Sequence, residues 1–108
     1  MKILKFLLIS FFVSITISVN TFADEAKMKK GLEIFNETAG CAACHVLKAA
    51  GSVGNIGPNL DTVSMTIESV TDMVINGLGV MPAFGEGEIL TKEEIDIVSY
   101  YVVNAAAK

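Results

Sequence analysis

Cys41-Ala42-Ala43-Cys44-His45 is the stretch on which the reading of this chain turns. Two thiols two residues apart, followed at once by an imidazole, match the pattern for covalent attachment of a c-type haem. The spacing has a physical reason. Cysteines at this separation reach the two vinyl groups on one edge of a porphyrin, and the next side chain then points at the iron. One turn of chain tethers the macrocycle twice and supplies one axial ligand, His45. Two other chemistries use a C-x-x-C pair: a thiol–disulfide redox site and half of a zinc site. A redox pair usually opens a helix in a βαβ setting, and no βαβ pattern occurs here. Zinc needs four ligands, whereas the chain has two Cys and one His, all of them in the motif.

Upstream of the motif the first 23 of the 108 residues differ in kind from the rest. Lys2 and Lys5 precede an apolar run, Phe6 to Val19, interrupted only by Ser10, Ser14, Thr16 and Ser18. Asn20-Thr21-Phe22-Ala23 and the charged Asp24-Glu25 follow. That order is expected of a secretory signal peptide cleaved after Ala23. A membrane-spanning helix needs about 20 predominantly apolar residues, and this run is shorter and rich in hydroxyls. The expected mature domain is therefore 24–108, located in the periplasm and without stable membrane insertion. Losing Lys2 and Lys5 shifts the formal charge from −4 to −6, and the chain has no Arg. An acidic domain of this kind is not expected to bind nucleic acid. Export fits haem attachment, which takes place outside the bacterial cytoplasm. It also sharpens the competing reading, since a bare C-x-x-C there would oxidise to a disulfide.

A domain this small buries a modest share of its surface and often needs a staple. With both cysteines committed to haem, the porphyrin itself becomes the core, and the unliganded chain is expected to fold poorly. Helical periodicity places a first helix over Glu25 to Glu37, with Met28, Leu32 and Phe35 on one face. Val46 to Leu60 carries Gly51, Gly54, Gly57 and Pro58 and reads as loop. A second helix is expected from Ile67 to Asn76, capped by Thr66 and ended by Gly77. Gly77 to Gly87 is loop again and holds Met81-Pro82. Thr91 with Glu94 forms a capping box for a last helix running to about Ala106, with Ile95, Ile97, Val98, Tyr101 and Val102 on its apolar stripe. No strand-like alternation is present.

Taken in order, these segments resemble the class I bacterial cytochromes c. The resemblance covers essentially all of 24–108. It rests on Gly31 and Phe35, the haem motif, Gly57-Pro58-Asn59-Leu60, Asn76-Gly77-Leu78-Gly79-Val80-Met81-Pro82-Ala83-Phe84, and Glu94 to Val102 with Tyr101. It implies an all-α fold of three to four helices wrapped around one covalently bound haem c. Cys41 and Cys44 would form the thioethers. His45 would bind iron through Nε2, with its other nitrogen fixed by the backbone carbonyl of Pro58. Met81 would supply the sixth ligand, and Gly31 would let the first and last helices cross closely beside Phe35 and Tyr101. Among the other methionines, Met28 and Met73 sit on apolar helix faces, where Met is usually core filler. Met65, just before a helix cap, is the rival to Met81.

A His/Met haem leaves no open position on iron, so the implied role is single-electron transfer rather than enzymatic chemistry. The expected partners are a redox donor and acceptor with basic docking surfaces, met by a monomer. The alternatives are an electron-accepting cytochrome subunit of a periplasmic dehydrogenase complex and, outside this class, a C-x-x-C thiol oxidoreductase. Ile56, Leu60, Val80 and Phe84 are the expected pocket lining, and Ala43, Ala49, Val53 and Ala83 the expected exposed edge. The chain departs from the family in Val46 after the motif, in a long link from Phe35 to Cys41, and in having no Trp or Arg for the haem propionates. Lys48, Ser52, Asn55, Asn59 and backbone amides are left as candidates for that task.

Overall fold

Two helices begin where a hydroxyl side chain closes a reciprocal pair of hydrogen bonds. The structure, a computed structural model, describes residues 19–106. Helix α2 spans Ile67–Asn76 and helix α3 spans Lys92–Ala105. At α3 the Glu94 amide donates to Thr91 Oγ1 and the Thr91 amide donates to Glu94 Oε1, both at 3.1 Å. At α2 the same box forms with Ser69 as the partner of Thr66, at 3.0 and 3.1 Å. Each box satisfies two amides that have no partner inside the helix. Gly77 closes α2, its amide donating to Met73 O at 2.7 Å.

Helix α1 spans Val19–Glu33 and continues as a π-helical turn over Ile34–Thr38. It starts six residues before the expected Glu25, because no Gly or Pro between Val19 and Asp24 interrupts it. The signal-peptide reading falls mostly on residues 1–18, outside the described residues, while 19–23 open α1. The π turn, closed by the Ala39 amide on Ile34 O at 2.8 Å, takes one more residue than an α turn. That residue accommodates the long link between Phe35 and Cys41 and lets both Ile34 and Phe35 face the core, each fully buried.

Helices α1 and α3 cross at Gly31, whose missing side chain admits the Cβ and Cγ of Tyr101 and brings Ile97 O within 3.2 Å of where a Cβ would stand. The Phe35 and Tyr101 rings meet beside the crossing, centroids 6.0 Å apart and tilted by 58°. The same two helices are joined at their outer side, where Tyr100 donates to Asp24 at 3.2 Å under the Lys27 ammonium. Val98, Val102 and Ile95 of α3, with Leu90 and Val74, complete the core around this seam. Burying an aromatic or aliphatic side chain of this size contributes roughly 2 kcal/mol.

One element departs from the all-loop expectation for 46–60. Strands β1 (Val46–Leu47) and β2 (Ser52–Val53) pair antiparallel. The buried Ser52 hydroxyl accepts from the Leu47 amide at 2.8 Å, so a side chain extends a ladder of only two residue pairs. Two pairs are too few to show as alternation in sequence. The architecture is otherwise α-helical, and among the described residues no helix is long and apolar enough to cross a membrane.

Candidate haem-attachment site

The C-x-x-C-H segment is a single tight turn. Gly40, with φ +69°, leads into a 3₁₀ turn over Cys41–Ala43. The amides of Cys44 and His45 both donate to Cys41 O, at 3.1 and 3.0 Å. Three functional side chains thereby leave one short arc of backbone. Both cysteines are free thiols, half-buried, and burial pushes the Cys41 thiol up to about 11.

The loop after β2 is laid directly on this turn. The Gly57 amide donates to Cys44 O at 2.8 Å, and a Cβ on Gly54 would stand 2.6 Å from Ala43 O. Gly57 lies flat against the imidazole, where a Cβ would come within 2.5 Å of Cε1 and 2.8 Å of Nδ1 of His45. One residue later the Pro58 carbonyl oxygen stands 2.7 Å from His45 Nδ1. A carbonyl oxygen only accepts, so that bond assigns the proton to Nδ1 and leaves Nε2 with its lone pair free. His45 and Pro58, expected to be partners, are brought together across thirteen residues of chain.

Met81 comes from a separate loop between α2 and α3. Leu78 and Met81 exchange backbone hydrogen bonds at 3.2 and 3.0 Å around Gly79 and Val80, and the Met81 side chain is half-buried against the core. Its rival Met65 also packs against the core, as does Met28, whereas Met73 on α2, expected to be core filler, is 40% exposed. The expected pocket lining divides. Phe84 belongs to the buried core and Leu60 packs against it, whereas Ile56 and Val80 stand out at 68% and 85% exposure, with Leu78 beside them. Ala43, Ala49 and Val53 are exposed, and Ala83 is half-buried. Two of the four propionate candidates are otherwise engaged: Ser52 inside the hairpin, and Asn59 accepting from the Asp61 amide at 2.9 Å.

The site suits a covalent porphyrin. Two thiols on one turn, a histidine with Nε2 left for a metal, and exposed apolar side chains on the loops that follow are what a flat apolar ring would engage. Among the described residues no three His, Cys, Asp or Glu side chains cluster as they would to hold a metal ion. Fold and site together define a small α-helical haem-attachment domain. Gly54 was legible in sequence only as loop punctuation and Gly57 as part of the loop that resembles the family; their contacts with the motif backbone and the imidazole needed the third dimension.

Comparison with known proteins agrees. The family model described as cytochrome c oxidase, cbb3-type, subunit III matches residues 26–102. The cytochrome c6 of Gracilaria tenuistipitata var. liui is 36% identical over 106 residues, covering 91% of this chain and 93% of that protein. The cytochrome c6 of Pyropia yezoensis is 36% identical over 111 residues, with coverage of 95% and 91%. The crystal structure of the c-type cytochrome SorU from Sinorhizobium meliloti superposes with a TM-score of 0.71 at 48% identity, covering 78% of this chain and 95% of that one. The chain belongs to the cytochrome c family of haem-binding electron carriers, and its Cys41 and Cys44 fit the covalent attachment of haem c.

Proposed function

We propose that the protein shuttles single electrons in the periplasm on one six-coordinate haem c, with Cys41 and Cys44 as thioethers and His45 and Met81 as axial ligands. The observation that carries the proposal is the 2.7 Å contact of His45 Nδ1 with Pro58 O, which orients the imidazole and leaves Nε2 for iron. When bound, the haem supplies a reversible one-electron couple. The chain does the rest. His45 is held by a backbone carbonyl and a glycine that no rotamer change can displace. Met81 offers a neutral thioether, which favours the ferrous state and raises the potential relative to a second histidine. With both axial positions taken from the protein, no site is left on iron for a substrate, so the protein is a carrier and not an enzyme.

The exposed rim supports this role. Residues 49–60 and 73–85 contain no charged side chain, and Val53, Ile56, Leu78 and Val80 are exposed there. Asp61, Asp72 and Glu86 flank these segments, so the net charge steers basic redox partners while contact is made by an apolar surface. The leader expected at 1–23 supports export. Potentiometric titration of the matured protein, followed in the visible bands, tests the reading. A single one-electron transition, in a monomer reduced by more than one donor, is expected. Co-purification with one dehydrogenase and reduction by that enzyme alone would make it a dedicated subunit. A colourless product that reduces disulfides would make it a thiol oxidoreductase.

A further inference from the structure

We propose that Gly77 is a positioning residue for the Met81 sulfur: the backbone that carries the ligand rests on a place in α2's cap that only glycine can vacate. The inference rests on Met81 being an axial ligand. Gly77 has φ 65° and ψ 178°, a region essentially confined to glycine. From there the chain reverses through the turn joining Leu78 to Met81, and the strand leaving Met81 returns across Gly77. A Cβ at position 77 would stand 2.5 Å from Met81 O, 2.7 Å from Pro82 C and 2.8 Å from Ala83 N. These are backbone atoms of three successive residues, so no rotamer change relieves the overlap.

Nor can the loop retreat as a whole. The Phe84 amide donates to Val74 O at 2.9 Å, the Glu86 amide to Ile75 O at 3.3 Å, and the Phe84 ring is buried in the core. The segment is thus pinned to α2 just beyond the point of overlap. A side chain at 77 must instead push Met81 and Pro82 off the helix end, which moves the sulfur. Other glycines with positive φ lack this coupling. Gly51, at φ +70°, would place a Cβ with nothing within 4 Å, so its substitution strains the backbone and touches no ligand segment.

The test compares Gly77→Ala, Gly51→Ala and Met81→Ala with the unaltered protein, each matured with haem in an exporting host. The readouts are the weak near-infrared Met–iron band of the ferric form and the thermal melt. The expected result is a full band in the unaltered protein and in Gly51→Ala, though the latter melts lower. The band should be lost in Met81→Ala and in Gly77→Ala at temperatures where Gly77→Ala is still folded by circular dichroism. If Gly77→Ala does not accumulate at the usual growth temperature, it is matured and measured in the cold, because at φ 65° and ψ 178° no other side chain is better tolerated than Ala. A full band in the folded Gly77 variant overturns the proposal while leaving Met81 as ligand. A band missing from the unaltered protein, or surviving Met81→Ala, overturns the Met81 assignment and the proposal with it.

Discussion

Pro58 and His45 are joined by a 2.7 Å contact from carbonyl oxygen to Nδ1, and the residue before Pro58 is a glycine lying against the same imidazole. The ring is thus held at its edge and at its nitrogen by two consecutive residues of backbone. Gly57→Ala should disturb both contacts, because its Cβ would enter within 2.5 Å of Cε1. A weaker bond at Nδ1 makes the imidazole a poorer donor to ferric iron. The reduction potential should therefore rise, and the yield of haem-loaded protein should fall. Potentiometric titration of the purified variant checks the sign; an unchanged potential would show that the ring is positioned by something else.

Removing the haem should cost the domain much of its order. Ile56, Leu78 and Val80 are exposed at 68%, 71% and 85%, an unusual display of large apolar side chains for so small a domain. The Cys41→Ala/Cys44→Ala double variant, isolated without haem, is expected to show reduced helical circular dichroism and a broad, low melt. A sharp cooperative melt at the temperature of the loaded protein would contradict that expectation.

The α1–α3 crossing tolerates no side chain at Gly31. A Cβ there would overlap the Tyr101 Cβ and Cγ and stand 3.2 Å from Ile97 O. Gly31→Ala should destabilise the folded protein by about 3 kcal/mol, in the upper range for overpacking a core. Denaturant unfolding of the haem-loaded variant measures it.

Tyr101 carries a buried hydroxyl with no hydrogen-bond partner among the described residues, and burial pushes its phenol above the ordinary value of 10. Tyr101→Phe should therefore cost little or stabilise by up to about 1 kcal/mol, since no bond is lost and an unsatisfied group is removed. The pH dependence follows in sign. A phenol that ionises less readily when folded makes its full contribution below pH 10, and that contribution is lost as pH rises beyond it. Melting curves from neutral pH into the alkaline range should fall more steeply for the unaltered protein than for Tyr101→Phe.

Local signals carried most of the fold. The starts of α2 and α3 were legible because Thr66 and Thr91 act on amides three residues away, and the end of α2 because Gly77 lies just beyond it. The partner of Thr66 was not foreseen, since Ser69 stands where Glu or Gln is usual. The π turn was visible only as a long link before Cys41, and the β1–β2 hairpin not at all, since a buried serine hydroxyl does the work of further pairs. At the site, the haem motif reads directly because its chemistry is local. Gly57 and Gly77 do not, because what makes each one glycine is a segment that reaches it only after the chain has folded back.

Carbon monoxide added to the ferrous, haem-loaded protein tests the central claim most directly. If iron is held by both His45 and Met81, no position is left for the gas, so the visible spectrum should stay unchanged at neutral pH, while that of Met81→Ala should shift. Immediate and complete carbon monoxide binding by the unaltered protein would contradict the account.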